Sequence, residues 1–245
     1  MKTNKIEQDI TIYDANNIYE FDNSIMMHYY PKRILEIRKE EKIDKEGKCL
    51  ELGIGHGYST EIFSGSFEQY TVLDGDKEII ERFKRKHPDL EINIIQTYFE
   101  DYSTNEQYDV ILMGFVLEHV DEPQVILERY KKLLSEKGRI FITVPNAEAL
   151  NRRIGEKAGI LKDMNMLSEH DIRCGHKRYY TTKTLEEEIN NAGLNVIRRE
   201  GIFLKAITTA QMISLKFSDN IIRGLLEVGK TYPELSLGLL YEVEK

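Results

Sequence analysis

Cysteine, tryptophan and proline are scarce in this sequence. Its 245 residues include two Cys, no Trp and five Pro. Cys49 and Cys174 are far apart and form no CxxC pair, which excludes a zinc ribbon and a thioredoxin-like redox site. Two thiols in a chain of this length fit a reducing cytoplasm, where disulfide bonds rarely persist.

Targeting segments and a surplus of positive charge are also missing. The N-terminus, MKTNKIEQDI, lacks the apolar region of a signal peptide, and no stretch approaches the roughly 20 apolar residues of a transmembrane helix. The 34 Lys and Arg face 42 Asp and Glu, which gives a net charge of −8. General nucleic-acid coats and polybasic membrane-surface proteins depend on cationic patches. We therefore expect a soluble cytoplasmic protein that binds neither nucleic acid nor membrane.

The clearest pattern is an alternation of short apolar segments with charged, helix-period segments between residues 48 and 145. Strands alternating with helices at this spacing indicate βαβ units, and right-handed crossovers then give a doubly wound sheet. Two closing strands around a helical stretch predict an appended hairpin. We expect an α/β, Rossmann-like, seven-stranded sheet that is mostly parallel, with a C-terminal antiparallel hairpin strand. The predicted strands are 48–53, 69–74, 91–96, 108–114, 138–145, 195–205 and 237–245, and the predicted helices include 24–42, 77–87, 122–138 and 184–193.

Three glycines, Gly53, Gly55 and Gly57, follow the first predicted strand. Glycines at a strand-to-helix turn let the backbone approach a ligand closely, because no Cβ intervenes. The third glycine is one position early for the dinucleotide pattern GxGxxG, and Tyr58 stands where that pattern has Gly, which disfavours a nicotinamide cofactor. Asp74 ends the second strand, where a carboxylate can accept hydrogen bonds from both ribose hydroxyls. Together these features indicate a ligand that contains a ribonucleoside.

Four motifs then occur in order: ELGIGHG (51–57), VLDGD (72–76), YDVILMGFVLEHV (108–120) and GRIFITVPN (138–146). With these motifs the chain resembles the class I S-adenosylmethionine-dependent methyltransferases over residues 48–146. The resemblance implies S-adenosylmethionine as the cofactor and S-adenosylhomocysteine as the product.

The resemblance also implies which residues contact the cofactor. The glycine loop would hold the methionine moiety and the sulfonium, and the end of the second strand would bind the ribose. Residues 98–101 would flank the adenine, although Phe99 equally fits a core position and Glu100 an exposed loop acid. The Met and aromatic stripe of helix 24–42 fits a core element, or alternatively a lid with Tyr29 and Arg33 near the cofactor carboxylate. The expected cofactor-binding residues are Glu51, Gly53, Gly55, Gly57, Asp74, Gly75, Asp76, Phe99, Glu100, Met113, Gly114, Tyr29 and Arg33.

A single domain with four parts accounts for the whole chain. Residues 1–45 form the N-terminal helical lid, and residues 46–146 form the cofactor-binding core. Residues 147–181 are an insertion on the acceptor side, and residues 182–245 supply the closing helices and the hairpin.

The insertion carries seven Lys or Arg and five acids, a net charge of +2, and two of the six histidines. A neutral hydroxyl acceptor requires a general base, for which His is suited near neutral pH, whereas an anionic acceptor requires positioning, which Arg provides bidentately. The alternatives are a solvated charged loop, and for His119 a structural role at a helix start. No spacing of Asp and Glu demands a metal, so no metal site is expected. The expected catalytic residues are His176, His170, His119 and Arg178.

A looser resemblance concerns the subfamily. Several segments are similar to small methyltransferases of bacterial surface-polysaccharide clusters, among them O-methyltransferases of the capsular O-methyl phosphoramidate pathway. We expect a monomer or homodimer that O-methylates a small anionic or nucleotide-linked metabolite in capsule biosynthesis. N-methylation of an amino sugar and a non-catalytic S-adenosylmethionine-binding partner protein stay open as alternatives. The segments are 151–155, 175–178, 201–205, 211–212 and 233–235.

Overall fold

A seven-stranded sheet with the order β3-β2-β1-β4-β5-β7-β6 forms the centre of the computed structural model, which describes residues 18–41 and 47–245. Strands β1 to β5 are parallel, while β7 runs antiparallel to both β5 and β6. The predicted fold class is confirmed. The strands are β1 (Lys48–Leu52), β2 (Gln69–Asp74), β3 (Asn93–Gln96), β4 (Tyr108–Gly114), β5 (Leu134–Pro145), β6 (Asn195–Leu204) and β7 (Ser236–Glu244).

Helices connect the strands and extend the insertion. Within the described ranges, no helix is both long enough and apolar enough to cross a bilayer. Of the predicted N-terminal lid (1–45), residues 1–17 and 42–45 lie outside the described residues, as does the last residue of the predicted helix 24–42. The helices are α1 (Ile18–Glu40), α2 (Tyr58–Phe63), α3 (Lys77–Lys86), α4 (Pro123–Lys132), α5 (Leu150–Lys157), α6 (Glu169–Arg173), α7 (Thr182–Asn191), α8 (Thr209–Leu215) and α9 (Asp219–Thr231), with a 3₁₀ turn at Pro233–Leu235.

The boundaries of β2 and β4 agree with the prediction, but those of α4 and β5 do not. The charged pattern predicts a helix as far as residue 138, whereas α4 ends at Lys132. Leu134 is fully buried and pairs with Tyr108 at the start of β4, and the Tyr108 N–H donates to the Leu133 carbonyl at 2.7 Å. Tertiary pairing therefore starts β5 four residues before the apolar run that predicts it.

The order of the strands determines where a ligand can bind. Strands β1 and β4 are neighbours, and the chain continues from β1 toward β2 and from β4 toward β5, on opposite sides. Such a switch point leaves a crevice at the carboxyl ends of the two strands. The loops after Leu52 and Gly114 meet there.

Helices cover both faces of the sheet. Buried side chains of α4 and α7 pack on one face, and those of α1, α2, α3, α8 and α9 pack on the other. In α1, Ile25, Met26, Tyr30, Ile34 and Ile37 are buried. The Met and aromatic stripe of this helix is thus a core element of the sheet face.

A buried ion pair attaches α1 to the sheet edge. Nε and Nη2 of Arg33 each donate to a carboxylate oxygen of Glu200 on β6, both at 2.7 Å. The Arg33 side chain is 7% exposed and that of Glu200 is 10% exposed. Arg33 also donates to Glu40 and Glu36, so its guanidinium is committed to carboxylates of the protein itself.

We expect Arg33→Met to lower the free energy of unfolding by about 3 kcal/mol, because it leaves a buried carboxylate with only part of its compensation. Arg198 Nη1 stays 3.6 Å from Glu200, which places the loss at the lower end of the range for broken buried pairs. Urea unfolding measures it. Lys183→Met is the control, since it removes an exposed pair with a 3.8 Å separation and should cost less than about 0.5 kcal/mol. Equal effects of the two substitutions would contradict this assignment.

Candidate active site

The turn from β1 into α2 depends on glycine at three positions. Gly53, Gly55 and Gly57 have φ values of +82°, +53° and +84°, the left-handed region that disfavours residues with a Cβ. A Cβ on Gly57 would lie 2.7 Å from the ring of Phe83. The three predicted glycines therefore form a turn whose backbone is open to the crevice.

Asp74 holds this turn against the end of β2. One carboxylate oxygen accepts from the Ile54 N–H at 2.9 Å and the other accepts from the Asp76 N–H at 2.8 Å. A carboxylate has about four acceptor sites, so lone pairs stay available for ribose hydroxyls. Asp76 instead caps α3, where its side chain accepts from the Glu78 N–H at 2.7 Å.

Two aromatic residues, Tyr98 and Phe99, border the loops that follow β1 and β2. Tyr98 is 68% exposed, and a Cβ on Gly75 would lie 2.8 Å from its ring. Phe99 is half-buried and packs against the core, and its ring lies 3.7 Å from the Cβ position of Gly53. Glu100 is exposed. In the predicted adenine segment, the Phe99 ring thus lies beside the glycine turn, and the Tyr98 ring lies against Gly75 after β2.

Glu51 lies beneath the turn and is 2% exposed. Its carboxylate accepts hydrogen bonds from the Thr60 hydroxyl at 2.7 Å and from the Tyr70 hydroxyl. Burial raises the pKa of Glu51 to about 7, against hydrogen bonds from Ser59, Tyr70 and Thr60 that lower it. Because its partners lie in α2 and β2, Glu51 positions the turn from below instead of facing the crevice.

The end of β4 is covered by α1. The Met113 side chain is fully buried in the core, so Gly114 is the member of this predicted pair that borders the crevice. A Cβ on Gly114 would overlap the Tyr30 hydroxyl. Phe115 follows with φ +55°, a strained conformation for a bulky residue, and its ring meets that of Tyr30 edge-on at 5.8 Å.

Tyr29 and Arg33 occupy another face of α1. Together with residues of α9, such as Leu226 and Glu227, they line a cavity between the two helices. Burial raises the pKa of Tyr29 above its ordinary value. The structure therefore brings Tyr30, which is not among the expected cofactor-binding residues, to the end of β4, whereas Tyr29 and Arg33 lie at the cavity beside α9. The Met and aromatic stripe of α1 indicates this helix in the sequence, but it does not distinguish the face with Tyr30 from the face with Tyr29.

A cluster of titratable side chains follows β4. One ligand atom from each of Glu118, His119 and His176 lies within 4.8 Å of the others. The two imidazoles meet edge-on with ring centroids 4.7 Å apart. Glu118 is completely buried, and neither of its carboxylate oxygens has a hydrogen-bond partner in residues 18–41 and 47–245. Burial raises the pKa of Glu118 to about 8, and burial together with His176 lowers the pKa of His119.

Asp171 fixes the orientation of His176. Its Oδ1 lies 3.4 Å from Nδ1 of His176, while Oδ2 accepts from the Ser168 N–H at 2.8 Å and the Tyr179 hydroxyl at 2.7 Å. Burial raises the pKa of Asp171, but hydrogen bonds from His176, Ser168 and Tyr179 outweigh it and hold the pKa below its ordinary range. The carboxylate is thus ionised and rigidly held behind the imidazole.

The other two predicted catalytic residues lie outside this cluster. Nε2 of His170 is 3.5 Å from Sγ of Cys174, and the Arg178 guanidinium donates to the carbonyls of Val120 and Asp121 at 3.0 and 3.1 Å. Arg178 therefore braces the loop after β4.

Most basic residues of the insertion are likewise occupied within the protein. Arg152 donates to the carbonyls of Met164 and Met166 and stacks on Tyr179. Arg153, Lys157 and Lys177 pair with Glu148, Glu156 and Asp121, respectively. The net charge of the segment therefore overstates what is available to an anionic ligand.

A family model described as a methyltransferase domain matches residues 23–199. The chain belongs to this methyltransferase family. The class I fold and S-adenosylmethionine as the cofactor, both predicted from the motifs, are confirmed. The glycine turn, Asp74 and the rings beside them are the part of this methyltransferase that fits a nucleoside.

Curated relatives cover much of the chain at low identity. The ubiquinone biosynthesis O-methyltransferase of Vibrio atlanticus is 25% identical over 181 residues, which cover 71% of this chain and 74% of that protein. The uncharacterized protein MJ1123 of Methanocaldococcus jannaschii is 26% identical over 165 residues, covering 63% of this chain and 77% of that protein. The predicted relation to enzymes of surface-polysaccharide clusters stays a prediction, since these relatives carry other names.

Solved structures share the fold. The N-methyltransferase NodS from Bradyrhizobium japonicum, in complex with S-adenosylhomocysteine, aligns with a TM-score of 0.56 at 15% identity and covers 98% of this chain and 95% of its own. The magnesium protoporphyrin IX methyltransferase from Synechocystis, also with bound S-adenosylhomocysteine, aligns with a TM-score of 0.63 at 10% identity, covering 98% and 92%. At these identities the likeness concerns the fold.

The Glu51 carboxyl should make stability depend on pH. Its pKa is about 7 in the folded chain against 4.5 for an ordinary Glu, so the unfolded state releases its proton first as the pH rises. Between pH 4.5 and pH 7 the folded state should lose about 3 kcal/mol relative to Glu51→Gln, which has no proton to release. Urea unfolding of both proteins across this range measures the difference. Parallel stability curves would contradict the assignment.

Asp74→Asn should weaken binding of S-adenosylhomocysteine by about 10-fold to 100-fold, as expected for loss of hydrogen bonds to a charged group. Titration calorimetry measures the affinity, and thermal unfolding checks that the variant is folded. Asp89→Asn is the matched control, because Asp89 is exposed and follows α3. Unchanged affinity in Asp74→Asn would exclude Asp74 from ribose binding.

Proposed function

We propose that this methyltransferase transfers the methyl group of S-adenosylmethionine to a hydroxyl oxygen of a small metabolite. The observation that carries the proposal is the cluster of Glu118, His119 and His176. The first two follow β4, the strand whose end borders the crevice, and His176 of the insertion packs against His119. Tyr30 connects the two regions, since its hydroxyl lies against Gly114 and its pKa is raised by burial and by both Glu51 and Glu118.

The chemistry explains why this cluster favours oxygen over nitrogen. The acceptor oxygen forms a bond to the methyl carbon while the carbon–sulfur bond breaks. The electron pair of the broken bond moves to sulfur. A neutral hydroxyl must also lose its proton, whereas a neutral amine attacks without help from a base. A carboxylate and two imidazoles held together beside the crevice are groups that serve a hydroxyl acceptor. The ubiquinone biosynthesis O-methyltransferases among the relatives are O-methyltransferases by name, which supports the same choice.

The acceptor itself is proposed to be a small, anionic or nucleotide-linked metabolite, such as a hydroxyl-bearing phosphoramidate or a sugar in capsule biosynthesis, bound by a cytoplasmic monomer or homodimer. Lys162 and Arg173 support the anionic character. Among the contacts of the described residues, these two of the seven basic side chains of the insertion have no ion-pair or hydrogen-bond partner. Both are exposed and can reach an anion without breaking a contact within the protein.

A panel of matched hydroxyl, amine and phosphoryl compounds with methyl-labelled S-adenosylmethionine tests the proposal. We expect label in hydroxyl compounds, and turnover reduced about 10²-fold to 10⁴-fold in His176→Asn, the range for loss of a group that handles the proton. Affinity for S-adenosylhomocysteine should not change, because His176 lies outside the glycine turn.

His87→Asn is the control, since this His lies at the end of α3 and stacks on Phe83. Label confined to amines would favour N-methylation of an amino sugar. Cofactor binding without label in any compound would favour a non-catalytic partner protein.

A further inference from the structure

The carboxyl group of Glu118 is buried next to the crevice without a hydrogen-bond partner in the described part of the chain. The residue is 0% exposed. A buried, unpartnered polar group costs about 1–3 kcal/mol, and a charged one costs more. An ionised carboxylate in this position would therefore need a partner that residues 18–41 and 47–245 do not supply.

The neighbouring protein cations have other partners. Lys177 donates its backbone N–H to the Glu118 carbonyl, but its ammonium lies 2.5 Å from Asp121. The Arg178 guanidinium donates to backbone carbonyls of the loop. No Lys or Arg side chain of the described residues pairs with Glu118, so a bound cation is the partner that would stabilise its ionised form.

Two imidazoles stand beside this carboxylate in an arrangement typical of metal ligands. Nδ1 of His176 faces Asp171 at 3.4 Å, and the His119 ring is hydrogen-bonded to the Gly175 backbone, with Nδ1 as the atom on that side. Ligating histidines usually make this second contact to a carboxylate or a backbone carbonyl, which fixes the ring orientation. Nε2 of each ring is then available to an ion.

We infer that Glu118, His119 and His176 bind a divalent transition-metal ion whose open coordination positions receive the acceptor hydroxyl. Two imidazoles and one carboxylate suit zinc, iron or cobalt better than calcium or magnesium, which prefer oxygen ligands. Tetrahedral bonds of about 2.1 Å place ligand atoms about 3.4 Å apart. The ligand atoms lie within 4.8 Å of one another, so side-chain rotations that move these atoms by about an ångström would close the site.

The role of the ion in methyl transfer rests on the proposed function, although its binding does not. A bound divalent ion lowers the pKa of a coordinated hydroxyl, as it does for water. The acceptor would release its proton to solvent, its oxygen would bond to the methyl carbon, and the carbon–sulfur electron pair would return to sulfur. Activation by the ion would thus replace deprotonation by a free imidazole.

Titration of chelator-treated protein with Co²⁺ tests the inference through the visible absorption of the coordinated ion. We expect uptake of one Co²⁺ per chain, with competition by Zn²⁺. Glu118→Gln and His176→Ala should each weaken Co²⁺ binding by more than the about 10-fold to 100-fold that outer partners of a ligand contribute. Asp171→Asn, which removes such an outer partner, should fall within that range and alter the absorption spectrum. His87→Ala should bind Co²⁺ as the wild type does.

Calorimetric affinity for S-adenosylhomocysteine verifies that each variant is folded, and the isosteric Glu118→Gln preserves the volume of the buried side chain. Absence of stoichiometric Co²⁺ uptake by the wild type, or equal uptake by His176→Ala, would overturn the metal site whatever the enzyme methylates. Co²⁺ uptake without label transfer to hydroxyl compounds would instead refute the proposed function and leave the metal site supported.

Discussion

The chain must pass from β1 into α2 with its backbone facing the crevice, and the positive φ values of Gly53, Gly55 and Gly57 disfavour a residue with a Cβ at these positions of the turn. Asp74 stabilises it from one side by accepting the Ile54 N–H. Glu51 stabilises it from below through Thr60 of α2 and Tyr70 of β2. Two carboxylates that hold the backbone leave the turn itself free to contact a nucleoside, which explains why the acids are as necessary here as the glycines.

Most of the fold could be predicted from the sequence, because the residues that form and end most strands are neighbours in the chain. The apolar runs of β2 and β4 end where the structure ends these strands, since each run is bounded by polar or glycine residues. The start of β5 could not be predicted, because Leu134 is buried by pairing with Tyr108 and follows a charged segment of helical pattern. The sequence also could not show which face of α1 covers the end of β4. Tyr29 and Tyr30 are adjacent in sequence, but about 100° of helical rotation separates them.

The function of the acceptor side was harder to predict, because it depends on which charged side chains already have partners within the protein. A count of charges makes the insertion basic, yet Arg152 and Arg178 satisfy backbone carbonyls and do not point to a ligand. His119 and His176 are distant in sequence, so no motif spacing predicts that their rings meet. The fold brings them together because the backbone of Lys177 bonds to the carbonyl of Glu118, which places one segment across the other.

Electrostatics connects this cluster to the reaction. Methyl transfer converts a sulfonium cation into a neutral thioether, so a nearby unpaired carboxylate would stabilise the reactant more than the transition state and would slow the reaction. An ionised Glu118 alone would have this unfavourable effect, whereas a divalent ion bound to it would leave a local charge of +1 before the acceptor adds its own. A bound anionic acceptor oxygen then makes the assembly neutral. The same ion would therefore compensate the buried carboxylate, orient the acceptor and prevent the carboxylate from stabilising the sulfonium reactant over the transition state. Asp171 would support the ion by holding the ligand His176.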